Sequence, residues 1–156
     1  MKKTSCCFTG HRDMPKDLLP IRKRLKAEII SAIDKGYTDF YVGGAIGFDT
    51  LAAKVLLELR MEGYSIKVHL IYPFDGFTDK FPAKDKAVYD TLLPKFDTVT
   101  CASKARGKEG FYKRNRCLVD VSSHCIAYMT KEQGGTAYTF NYAISQGCTV
   151  INIAKP

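Results

Sequence analysis

Asp39-Phe40-Tyr41-Val42-Gly43-Gly44-Ala45-Ile46-Gly47-Phe48-Asp49 is an apolar run of strand length that breaks at paired glycines and passes directly into a helical pattern. From Phe48 to Met61, Leu51, Ala52, Val55, Leu56 and Leu59 recur at the spacing of one helix face, and Gly63 stops the pattern. Strand, glycine turn and amphipathic helix in this order form the repeating unit of a parallel sheet, because parallel neighbours need a long crossover that is usually a helix.

The same unit recurs on both sides. Upstream, Ser5 to Thr9 ends at Gly10, and Pro15 to Lys35 carries Leu18, Leu19, Ile21, Leu25, Ile29, Ile30 and Ile33 before Gly36. Downstream, Ile66 to Tyr72 reads as a strand closed by Pro73, Lys80 to Leu92 as a weaker helix and Thr98 to Cys101 as a short strand. Phe111 to Val121 reads as a helix, Cys125 to Met129 as a strand, Thr136 to Gln146 as a helix and Thr149 to Ile153 as a last strand. This alternation predicts an α/β fold with a Rossmann-like, doubly wound, mostly parallel six-stranded sheet and helices on both faces. With 156 residues and no linker or repeat, one domain is expected over 1–156. Ala102 to Gly110, with Lys104, Arg106 and Lys108, is expected to be a mobile loop.

Composition narrows the function classes. Hydrophobic residues at 46% and charged residues at 26% are ordinary for a globular chain and argue against disorder. A net charge of +8 favours an anionic partner: nucleotide, nucleic acid or acidic surface. No stretch approaches the roughly 20 apolar residues of a membrane helix, and His11, Arg12 and Asp13 interrupt any secretory segment after Met1-Lys2-Lys3, so no membrane role and a cytoplasmic location are expected. The six cysteines show no CxxC pair or zinc spacing, and His11, His69 and His124 do not cluster, so no metal site follows. The cysteines are expected to be reduced and buried.

In such sheets ligands bind outside the carboxyl ends of the strands, and four segments stand there. After the first strand, Gly10 permits a tight turn, with His11 and Arg12 at the rim; an Arg there can hold phosphate, or both side chains are simply solvated. In Gly43-Gly44-Ala45-Ile46-Gly47-Phe48-Asp49, Gly43, Gly44 and Gly47 would let backbone N–H groups cradle phosphate at a helix start. Asp49 there is either the helix N-cap or a partner for ribose. In Phe111-Tyr112-Lys113-Arg114-Asn115-Arg116, three cations and an amide open a helix, and Arg114 or Asn115 would point toward a ligand. Finally, Gln133-Gly134-Gly135-Thr136 repeats the glycine turn, with Gly134, Gly135 and the Thr136 hydroxyl placed for phosphate or capping. Tyr138, Phe140 and Tyr142 fit core and interface aromatics better than a base-stacking platform.

Taken together, these segments resemble the SLOG superfamily, the Rossmann-like group that joins DNA-processing protein A and the lonely-guy proteins. Phe111 to Ser122 is similar to the F-P-x-R-N-R-I-I-A-G-L-S signature of DNA-processing protein A. Gly44 to Ala53 is similar to its G-x-x-x-G-x-D-x-x-A-H loop, and Gly134 to Thr139 to its S-G-T-x-x-T turn. The opening Cys7-Phe8-Thr9-Gly10-His11-Arg12 resembles most closely the small stand-alone YpsA-like proteins of bacteria and phages. The resemblance implies a nucleotide or nucleotide-derived ligand. Lonely-guy phosphoribohydrolases show P-G-G-x-G-T-x-x-E with a catalytic Glu; aligning Gly135-Thr136 puts Thr139 in its place and Glu132-Gln133 in place of paired glycines.

The expectation is therefore a homo-oligomeric nucleotide binder of sensing or regulatory kind, with no certain cofactor beyond the nucleotide itself. Glycine N–H groups would cradle phosphate, Arg12 or Arg114 would neutralise it, and Asp49 or Asn115 would hold ribose or base. The alternatives are a single-stranded DNA-binding module, suggested by the positive charge, and a nucleotide N-glycosidic hydrolase, for which Asp49 or Glu132 would have to replace the missing Glu.

Overall fold

The computed structural model describes residues 4–154. Its six strands are β1 (Ser5–Gly10), β2 (Asp39–Val42), β3 (Lys67–Tyr72), β4 (Thr98–Cys101), β5 (His124–Tyr128) and β6 (Thr149–Asn152). They form one sheet in the order β4-β3-β2-β1-β5-β6, and every neighbouring pair is parallel. The helices are α1 (Leu19–Asp34), α2 (Phe48–Met61), α3 (Ala83–Leu92), α4 (Gly107–Asp120) and α5 (Gly135–Ser145).

Alternate residues of the buried strands point to opposite layers. Phe8, Phe40, Val42 and Leu70 pack with Ile21, Leu25 and Ile29 of α1 and Val55, Leu56 and Leu59 of α2. Cys7, Ile71 and Cys125 pack on the other face with Leu118 and Val119 of α4 and Ala143 of α5. The doubly wound arrangement read from the sequence is thus the arrangement found. The chain grows from β1 out to β4, then returns to lay β5 on the other side of β1. Gly10, the last residue of β1, pairs with Tyr128, the last of β5. The crevice between these two strand ends is the switch point, where ligands enter open α/β sheets.

Several boundaries differ from the sequence reading for local reasons. The first helix begins at Leu19, because Pro20 fits only the first helical turn. The third begins at Ala83, behind the extended Pro82. The expected loop 102–110 is shorter, since α4 starts at Gly107; Gly110 packs against the Ala105 carbonyl and the Phe74 ring, an approach that a Cβ would block. The cysteines are only partly as expected: Cys6, Cys7 and Cys125 are buried, Cys117 and Cys148 are half-buried, and Cys101 is exposed on the edge strand β4. Burial pushes the Cys6 thiol up. A hydrogen bond with Cys7, added to burial, does the same for Cys125. Among the described residues, no helix is long and apolar enough to cross a membrane.

Candidate functional site

A cleft of about 870 Å³ opens at the carboxyl ends of the strands. Ligand pockets commonly measure about 300–1,000 Å³. Its lining includes Gly10, His11, Arg12, Asp49, Arg114, Asn115, Gly134, Gly135 and Thr136, so all four segments singled out in the sequence reach it. Gly43, Gly44 and Gly47 are not in the lining.

After β1, Gly10 lets the strand end lie on α2: a Cβ there would sit 2.3 Å from the Phe48 ring. The His11 carbonyl accepts the Phe48 N–H at 3.1 Å. Its ring Nε2 accepts the Thr130 N–H at 2.9 Å, tying the turn after β1 to the turn after β5. Burial, helped by the nearby Lys131, lowers the His11 pKa, which suits a ring that accepts. Arg12 is exposed at the rim.

The loop 43–47 has a different task from the one its glycines suggested. The Asp49 carboxylate accepts the Ala45 N–H at 3.2 Å and is also hydrogen-bonded by the Gly43 backbone. This loop therefore cradles an anion, and the anion is the chain's own Asp49. Nor is Asp49 the N-cap of α2, a position held by Gly47. Burial pushes the Asp49 carboxyl up to about 6, against the pull of Arg114 and the two amides. Arg114 is buried in the middle of α4, not at its opening turn. Its Nη1 donates to the Gly43 carbonyl, its Nε donates to Asn115 Oδ1 at 2.7 Å, and its guanidinium lies 5.7 Å from the centre of the Phe111 ring. Arg114 and Asn115 thus line the cleft with part of their hydrogen-bonding capacity spent on the fold.

The turn before α5 is more open. Gly134 caps the helix with no side-chain bond to its first amides, and a Cβ at Gly134 or Gly135 would meet nothing within 4 Å. First-turn amides without side-chain caps make a helix N-terminus receptive to anions. Thr136 is buried at the cleft wall, and Thr139 donates its hydroxyl to the Gly135 carbonyl at 3.0 Å. The start of α4, Gly107 and Lys108, reaches the same cleft, so two positive helix ends converge on it.

One wall was missed in the sequence. The segment 73–81 after β3 contributes Phe74, Phe77 and Phe81, which share the lining with Phe111 and Tyr112 of α4. Phe74 meets Phe111 edge-on at 5.2 Å, Phe77 meets Phe81 edge-on at 5.6 Å, and the Arg106 guanidinium lies 5.4 Å from the centre of the Phe74 ring. Asp79 approaches Arg106 at 4.0 Å. The signal was available: Pro73 to Phe81 follows a strand directly, at the same carboxyl edge that drew attention to the other four turns.

Among solved structures, the fold is similar to DNA processing protein A from Streptococcus pneumoniae, with a TM-score of 0.69 and 20% identity over 96% of this chain and 50% of that one. It is also similar to DNA processing protein A from Helicobacter pylori, with a TM-score of 0.65 and 16% identity over 94% of this chain and 63% of that one. Among curated proteins, a UPF0398 protein of Staphylococcus haemolyticus is 22% identical over 83% of this chain and 70% of its own length. A UPF0398 protein of Bacillus cereus is 23% identical over 74% of this chain and 64% of its own length. One of Bacillus velezensis is 31% identical over 51% of this chain, which spans 44% of that relative. The model of the YspA SLOG family matches residues 7–149, nearly the whole described fold and all four turns of the cleft, and the chain belongs to that family.

Proposed function

We propose that the cleft binds a nucleotide unit, with phosphate at the N-terminus of α5 and the base against the aromatic wall. The observation that carries this reading is the meeting of two unlike surfaces in one cleft. One is anion-seeking: the turn Gly134-Gly135-Thr136, with Arg12, Lys108 and Lys131 in the same lining. The other is flat and apolar: Phe77, Phe81, Phe111 and Tyr112. A nucleotide presents a complement to each.

A second reading, in which the bound unit belongs to a single strand of nucleic acid, is favoured by the net charge of +8. The fold likeness to DNA processing protein A agrees with it, since the Helicobacter pylori structure is described by its single-stranded DNA binding mode. A sensing or regulatory role suits either reading better than turnover. Of the carboxylates in the lining, Asp49 holds Ala45 and Asp79 approaches Arg106, while Glu132 lies outside it.

Titration calorimetry with mononucleotides, dinucleotides and short oligonucleotides tests the proposal. Binding weakened in Arg12→Ala and kept in Lys104→Ala, an exposed residue outside the lining, is the expected pattern. Equal effects of the two changes would reduce the cleft to a generally basic surface.

A further inference from the structure

We propose that Tyr112, Tyr138 and Tyr142 form a stacking track that carries a single-stranded nucleic acid out of the cleft and across the outer side of α4 and α5. This rests on reading the cleft as a nucleotide site and names its partner as a strand longer than one unit. Tyr112 belongs to the cleft lining. Its ring lies 4.6 Å from that of Tyr138, and Tyr138 lies parallel to Tyr142, within 2° and 6.3 Å between centres. All three are only partly buried.

The core between these helices and the sheet is made mainly by Leu118, Val119 and Ala143; Tyr142 packs against its edge, while Tyr112 and Tyr138 are not part of it. Cations follow the same line. Arg116 donates to the Tyr138 hydroxyl at 3.1 Å, and Lys113 is exposed on the same helix. The acidic group at the far end, Asp120, accepts the Tyr142 hydroxyl at 2.7 Å and so fixes that ring in place. Partly exposed rings in series, flanked by cations and continuous with a nucleotide-sized cleft, match how proteins hold single strands: stacked bases beside a neutralised backbone. An α4–α5 surface of purely structural tyrosines would account for the ring contacts but not for the cations beside them or for Tyr112 in the cleft lining.

The chain has no tryptophan, which gives a direct test. Tyr142→Trp places a single indole at the end of the track, outside the cleft lining. An oligothymidylate of about a dozen nucleotides, within the span that such sites cover, should quench its fluorescence. Thymidine monophosphate should not. Tyr142→Leu should bind the oligonucleotide about tenfold more weakly, in line with the loss of one stacked base, with mononucleotide affinity unchanged, while Tyr142→Phe, which keeps the ring and loses only its bond to Asp120, should bind more tightly than Tyr142→Leu. An unquenched indole, or oligonucleotide affinity unchanged in Tyr142→Leu, overturns the track. Failure of the cleft reading shows separately, as mononucleotide affinity unchanged in Arg12→Ala.

Discussion

Gly47 sits where two loops touch. Its φ is 89°, and a Cβ would lie 2.3 Å from the Arg12 carbonyl oxygen, backbone that cannot swing aside as a side chain can. Gly47→Ala should therefore cost on the order of 1–3 kcal/mol of stability, from left-handed strain and forced separation of the loops, read as a lowered midpoint in denaturant. The need for glycine was visible in the sequence; its reason was not, because the contacting backbone belongs to another turn. Arg114 shows the same limit. Its charge invited a phosphate role, but only the packing of α4 reveals that the guanidinium holds the Gly43 carbonyl. Arg114→Met should lose stability by about 3 kcal/mol, since it strips the partner from that carbonyl and from the nearby Asp49. A thermal melt without ligand reads this directly. Asp49 provides a pH signature. Its carboxyl, pushed up to about 6, lines the cleft and repels an anionic ligand while ionised. Lowering the pH from about 7.5 to about 5.5 adds its proton and should tighten binding of a phosphodiester dinucleotide severalfold. That ligand has no phosphate group of its own titrating near 6. Asp49→Asn should flatten this step in a calorimetric pH series, and an unchanged step would assign it to another group.

At the scale of elements, the cleft is assembled from turns that follow β1, β2, β3 and β5 and from the starts of α4 and α5. Alternation of strand and helix made these turns legible, since each follows an apolar run and most carry glycine. The aromatic wall was harder to see. Its phenylalanines show no periodicity, and only their position after β3 brings them opposite α4. The early start of α4 was hidden by Gly107 and Gly110, which weaken a helical pattern even where packing rescues it. That start moves Lys108 into the lining and leaves Lys104 outside. Lys108→Ala should weaken nucleotide binding by about threefold to tenfold, while Lys104→Ala should change it little, because exposed charges act through screened solvent. Phe111→Ala, removing a ring that is 36% exposed in the cleft and packed on Phe74, should weaken binding by about tenfold and lower the melt as well. Calorimetry on the three variants separates wall from rim.

For the whole molecule, the sequence was enough for a parallel sheet covered on both faces, because fully buried strands leave long apolar runs. The strand order β4-β3-β2-β1-β5-β6 depends on which edges pair, and no single stretch of sequence records that. The order matters because it places the switch point between β1 and β5, under His11 and beside Gly134. The account's central claim is that this crevice binds a nucleotide unit. Calorimetric titration of the parent and Arg12→Ala with a phosphodiester dinucleotide, at two salt concentrations, tests it most directly. The parent is expected to bind one equivalent, and Arg12→Ala to bind about tenfold to a hundredfold more weakly, the size of a lost charge-assisted contact. A dinucleotide that fails to bind the parent, or binds the variant equally well, would contradict the claim.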